Sequence, residues 1–171
     1  MTGPRPAPAP AGAVDTVADP VTAPAADRLL AGLPHGAVVG IGVDAVDVAR
    51  FRQILARRPG FAGRFFTAAE QADASRSPDP TESLAARFAA KEAVMKALGT
   101  GLGSFALTDV EVRRGDGEGA TRNAPSLLLH GGAAAVAEER DAGVFHLSLT
   151  HTTGVAIAFV VAERSRPCSR S

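Results

Sequence analysis

In the run RFAAKEAVMKALGTG, Arg87 to Gly101, the charges Arg87, Lys91, Glu92 and Lys96 recur at helical spacing. Three cations around one carboxylate suit a multiply charged anion held together with a divalent metal. Arginine grips terminal phosphate oxygens with its fork, whereas lysine supplies a point charge. Mg²⁺ takes one or two carboxylates and completes its shell with water and substrate phosphate. Glu92 is one candidate ligand. Asp44, which ends GIGVD, is the second.

Taken singly, each residue has a plainer explanation. Glu92 and Lys96 form an i, i+4 pair with the acid on the N-terminal side, the orientation that favours an ordinary helix salt bridge. Lys91 falls inside an apolar stripe of Leu84, Phe88, Met95 and Leu98, where its stem could lie over apolar surface and release the ammonium to water. Asp44 could simply begin a turn. The helix that carries the charges weighs against these explanations. Its other side is alanine (Ala85, Ala86, Ala89, Ala90, Ala93 and Ala97), and a helix with no wide polar face is buried on both sides.

The surrounding segments must position this helix. In AVVGIGVDAVDV, Val39, Ile41 and Val43 alternate with Gly40, Gly42 and Asp44, a strand whose glycine face admits a close neighbour beside a carboxylate. Asp47 can cap a short helix through VARFRQILARR. Thr67 with Glu70 forms a capping-box pattern opening AAEQADA. SRSPDPTES reads as a loop, and Gly99 as the stop of the long helix. LTDVEVRR reads as a strand, Gly115–Pro125 as a long loop, SLLLH as a strand and GAAAVAEERDAG as a helix. VFHLSLTH and GVAIAFVVAE pair across HTTG. The expected class is α+β, one domain with an antiparallel sheet packed around the long buried helix.

Composition narrows the function classes. The 171 residues are 46% hydrophobic, enough for one domain with a core, and 18 basic residues balance 18 acidic ones. No global field selects nucleic acid or an anionic membrane, so neither is an expected partner. Trp and Tyr are absent, which argues against aromatic base platforms, and the only cysteine is Cys168, which excludes a disulfide framework and a thiolate zinc site. No apolar run has the length of a membrane span, and MTGPRPAPAPAG lacks a signal-peptide core; a cytoplasmic protein is expected. Residues 1–36 read as a disordered Pro/Ala-rich extension, 37–163 as the folded domain, and 164–171 as a disordered tail.

GIGVDAVDVARF, RFAAKEAVMKALGTG and HLSLTHTTGVAIAFVVAE together resemble, in that order, the three signature stretches of the holo-acyl-carrier-protein synthase family. This is the small, coenzyme A-using branch of the 4′-phosphopantetheinyl transferases. The resemblance runs from about Val38 to Glu163 and implies the fold of that family and a homotrimer with coenzyme A between neighbouring subunits. It implies an Mg²⁺-dependent transfer of the 4′-phosphopantetheine arm of coenzyme A to a serine of apo-acyl-carrier protein, releasing 3′,5′-ADP. On the matching positions, Asp44 and Glu92 bind the metal with the pyrophosphate, and Lys96 contacts the pyrophosphate. Arg87, His151 and Thr152 match the positions at the 3′-phosphate end, with His151 also considered as a base. Lys91 is expected near the phosphates or the acceptor hydroxyl. Relatives often carry an acid after the histidine, where this chain has Thr152.

The short helix after Asp47 carries the expected partner surface. Val48, Phe51 and Leu55 share one side; Arg50, Ile54 and Arg57 share the other. An apolar anchor with a cationic rim fits an acidic amphipathic helix, and the carriers of the resembled family are acidic. Two rival readings are a non-catalytic nucleotide- or carrier-binding scaffold of the same fold and a metal-dependent phosphatase. The intact Asp44, Glu92 and Lys96 oppose the first, and the lack of a second carboxylate or histidine cluster opposes the second.

Overall fold

The computed structural model describes residues 38–101, 103–115, 124–152 and 154–165. The expected extension over 1–36, most of the expected tail and the middle of the Gly115–Pro125 loop lie outside the described residues.

Local caps set most element boundaries. Strand β1 (Val38–Asp47) ends at Asp47, whose carboxylate accepts from the Arg50 N–H at 2.7 Å and starts helix α1 (Val48–Arg57). After the short α2 (Phe61–Phe65), Thr67 and Glu70 close a reciprocal capping box at the head of α3 (Ala68–Ser75). The central helix α4 spans Pro80–Ala97. It begins inside the segment expected as a loop, because the Asp79 carboxylate accepts from the Thr81 and Glu82 N–H groups and Pro80 fits the first turn. It ends as Gly99 enters the left-handed region at φ 64°. A 3₁₀ turn (Leu107–Asp109) occupies the start of the expected LTDVEVRR strand, so β2 is only Val110–Arg113. Then follow β3 (Ser126–Leu129), α5 (Gly131–Glu139), β4 (Ala142–His151) and β5 (Val155–Arg164). The last strand runs one residue past the expected domain limit.

The long strands form an antiparallel sheet in the order β1-β5-β4, while β2 and β3 form a separate antiparallel ribbon. Helix α4 lies across β1 and β5 with small residues on both surfaces. Ala89, Ala93 and Ala97 meet a sheet face carrying Ala158, Val160 and Ala162, all buried. Its other side meets α1, α2 and the residue that follows α2 through edge-on and tilted contacts among Phe51, Phe61, Phe65, Phe66 and Phe88. The architecture is α+β, an antiparallel sheet packed on a long buried helix. Among the described residues, no helix is long and apolar enough to cross a membrane.

Candidate active site

The glycine face of β1 is filled by protein. A Cβ at Gly40 would stand 2.0 Å from the Ala97 carbonyl oxygen, and one at Gly42 would stand 1.8 Å from that of Ala93. The close neighbour expected there is the backbone of α4, not a ligand. This contact has a consequence for Asp44, the next residue on the same face. It sets the carboxylate beside the last turn of α4, where Lys96 Nζ donates to Asp44 Oδ1 and to the Val43 carbonyl, each at 2.8 Å. Lys96 therefore pairs from α4 to Asp44 on β1. The expected Glu92–Lys96 salt bridge is not among the ion pairs of the described residues.

Asp44 and Glu92 line one cleft of about 580 Å³, whose walls include Phe51, Phe65, Phe88 and Leu107. Burial raises the proton affinity of Glu92 above that of an ordinary glutamate; the Asp44 carboxylate raises it further, and the Lys96 ammonium opposes both. Two hard oxygen donors that repel one another fit a divalent cation. Among the described residues, no group of three or more His, Cys, Asp or Glu side chains could hold a metal. A two-carboxylate set matches magnesium shared with substrate phosphates. Arg50 and Ile54 of α1 line the same cleft, whereas Arg57 is exposed beyond it. Val48 and Phe51 are buried, so the division of α1 into a core side and an outward side follows the expected pattern.

Arg87 and His151 line a second, smaller cleft of about 200 Å³. Arg87 Nη1 donates to Ser83 Oγ at 2.5 Å, Nη2 stands 3.6 Å from Asp73 Oδ2, and the buried Nε has no partner. Burial lowers the proton affinity of this guanidinium, with Asp73 acting against it. His151 Nδ1 lies 3.7 Å from Glu82 Oε2. Thr152 follows at the exposed strand end, its N–H donating to the Val155 carbonyl at 2.9 Å. Arg114 also lines this cleft. Sequence reading missed it because only the path of the chain after β2 delivers it there.

Lys91 corrects an expectation. Its side chain is fully buried, and its ammonium donates to Glu70 Oε2 at 2.7 Å and to the carbonyls of Leu107 and Val110 at 2.9 and 2.5 Å. Three N–H bonds are given to three acceptors, so none is left for a phosphate. The apolar stripe is genuine; the lysine inside it is paired rather than exposed. Its partner Glu70 was legible only as a helix cap.

A family model described as "4′-phosphopantetheinyl transferase superfamily" matches residues 40–160. The chain belongs to that superfamily. It is 53% identical over 127 residues to a holo-[acyl-carrier-protein] synthase from Frankia alni, covering 74% of this chain and 98% of the relative. The crystal structure of the holo-[acyl-carrier-protein] synthase of Neisseria meningitidis is similar, with a TM-score of 0.64 at 32% identity, covering 74% of this chain and 99% of that one. A holo-(acyl-carrier-protein) synthase from Bacillus anthracis, solved in complex with CoA (3′,5′-ADP), matches with a TM-score of 0.60 at 35% identity, covering 75% and 98% of the two chains. Each of these proteins is matched over nearly its whole length, and the match takes up about three quarters of this chain.

Proposed function

We propose that this protein transfers the 4′-phosphopantetheine arm of coenzyme A to a serine hydroxyl of apo-acyl-carrier protein, with Mg²⁺ held by Asp44 and Glu92. The observation that carries the reading is the shared cleft. Two carboxylates line it together with Arg50 and Ile54, and the exposed Lys96 is bonded to one of them. The names of the relatives and the nucleotide bound to the Bacillus anthracis protein support the substrate class.

The serine oxygen attacks the phosphorus bearing the pantetheine arm, the bridge to the nucleotide phosphate breaks, and 3′,5′-ADP leaves while the serine proton is lost to base. When bound, Mg²⁺ neutralises pyrophosphate charge and polarises that phosphorus. Lys96, its side chain half exposed, exchanges Asp44 for the phosphate oxygens and adds charge where it builds up. Arg87, His151 and Thr152 take the 3′-phosphate end. Arg50, Ile54 and Arg57 receive the acidic carrier in the cytoplasm.

On one chain the two groups line separate clefts, which supports assembly. The outer face of the sheet is apolar and exposed along β1 and β5, where Val43 opposes Phe159, Ala45 opposes Ile157, and Ile41 stands 57% exposed beside Val161, while β4 adds His146, Ser148 and Thr150 at its side. Contiguous apolar patches mark interfaces. Three copies meeting through this face would set the Arg87–His151 cleft of one against the Asp44–Glu92 cleft of its neighbour, with coenzyme A between them. Light scattering that returns a fully active monomer overturns the assembly.

The test of function is mass spectrometry of apo-carriers incubated with the protein and coenzyme A, with Mg²⁺ or with chelator. A metal-dependent gain of the phosphopantetheine mass is expected. Metal-independent coenzyme A binding, with no transfer to any carrier, would instead establish the scaffold.

A further inference from the structure

Lys91 and Glu70 form a buried knot that joins four elements. Besides the ammonium, Glu70 accepts from the Thr67 N–H at 2.9 Å through Oε2 and from the Val112 N–H at 3.0 Å through Oε1. The knot thus ties the head of α3 and strand β2 to the middle of α4, and the Lys91 bond to the Leu107 carbonyl adds the 3₁₀ turn. Two of these attachments reach the cleft. Leu107 forms one of its walls, and Glu92, a neighbour of Lys91 along α4, carries one of its carboxylates. The Phe66 ring also faces the ammonium, with its centroid at 5.4 Å, next in sequence to the wall residue Phe65.

We propose that Glu70 and Lys91 are positioning residues for the transfer reaction. Their pair fixes the rotation of α4 about its axis and the distance between the Leu107–Phe65 wall and the Asp44–Glu92 carboxylates. Neither touches substrate, since both side chains are fully buried and the ammonium has no free hydrogen. A fold that needed only filling at this position could use an apolar side chain, because buried ion pairs replaced by well-packed hydrophobic residues are often neutral or stabilising. What an apolar residue cannot do is hold two carbonyls and a carboxylate in fixed directions. Partners bonded directly to metal ligands change metal affinity or turnover by about 10–100-fold when lost, and this pair acts one step further out, through the helix that carries Glu92.

The proposal rests on the functional reading of Glu92, so the experiment separates the two. The double substitution Glu70→Gln with Lys91→Met removes both charges together and leaves no lone buried ion. With the variant held well below its thermal midpoint, as followed by circular dichroism, kcat is expected to fall by about tenfold or more. The Mg²⁺ concentration for half-maximal rate should rise, while KM for coenzyme A stays close to that of the natural protein. Glu70→Asp is the second variant; it keeps both charges but draws the carboxylate back by one methylene, and the Mg²⁺ requirement should again rise. A fully folded double variant, or Glu70→Asp should the double not fold, with natural kcat and Mg²⁺ requirement overturns the positioning role. Glu92→Ala with undiminished transfer would overturn the functional reading itself.

Discussion

Helix α4 presents the same side chain twice, five residues apart, in opposite surroundings. Lys91 is sealed in a dry knot with Glu70, and Lys96 stands at the surface on Asp44. The contrast follows from what packs against each turn. At Lys91 the helix is enclosed by α3, the 3₁₀ turn and β2, so the ammonium must find protein acceptors or lose its charge. At Lys96 the glycines of β1 bring the strand onto the helix, and the carboxylate that follows meets a lysine still open to water. Burial accordingly depresses the proton affinity of Lys91, with the Glu70 carboxylate working against it. A buried lysine is bound to structure; an exposed one can exchange partners during a reaction.

The largest effects should separate the cleft carboxylates from the buried knot. Asp44→Ala and Glu92→Ala are each expected to abolish transfer while leaving the circular dichroism spectrum and melting close to natural. Turnover near the natural rate at saturating Mg²⁺ in either variant would remove the metal assignment. Lys91→Ala should instead strike the fold as well, stranding Glu70 as an unpaired buried charge at about 3–5 kcal/mol of stability. Urea denaturation measures this, and a loss below about 1 kcal/mol, the range of an exposed pair, would mean that Glu70 finds other partners.

Lys96→Ala sharpens the comparison. The exposed ion pair to Asp44 contributes at most about 1 kcal/mol, so melting should scarcely change while kcat falls. If activity merely tracks the folded fraction, Lys96 serves the fold rather than the reaction. On the partner side, Arg50→Glu with Arg57→Glu should raise KM for apo-carrier and leave KM for coenzyme A nearly unchanged, with added salt weakening the natural protein's carrier binding. Equal changes for both substrates would move the docking surface elsewhere.

What the sequence made legible here is local. The Asp47 cap, the Thr67–Glu70 box, the Gly99 stop and the alternation of the last two strands are each written within a few residues, and each forms. The Asp79 cap was equally local but sat among prolines and serines that also suit a loop. The distant pairings were not legible. Lys91 with Glu70, Lys96 with Asp44 and Gly42 with the Ala93 carbonyl depend on how elements meet, and no spacing encodes that. The candidate residues could be named from motif resemblance, but only the packing shows that Arg87 and His151 share one cleft, Asp44 and Glu92 another, and Lys91 neither.

The smallest expected effect concerns the charge state of Glu92. Burial is the first cause of its raised proton affinity, and Asp44 the second. The folded protein therefore holds a proton on Glu92 at pH values where the unfolded chain has released it. By linkage, stability declines as pH rises through the window between those two affinities, because there the native state binds more protons. Above that window and without divalent cation, ionised Glu92 comes at a small expense to the fold, discounted because the side chain is partly solvated. Glu92→Gln, which imitates the protonated acid, should raise the thermal midpoint slightly at neutral pH in chelator and leave it unchanged in acid. Mg²⁺ should raise the midpoint of the natural protein but not of the variant. Carboxyl-carbon NMR titration in chelator should place Glu92 above ordinary glutamates, lower after Asp44→Asn and higher after Lys96→Ala. An ordinary titration in all three proteins would mean that Asp44 and Glu92 do not sense each other, and the two-carboxylate site would lose its electrostatic basis.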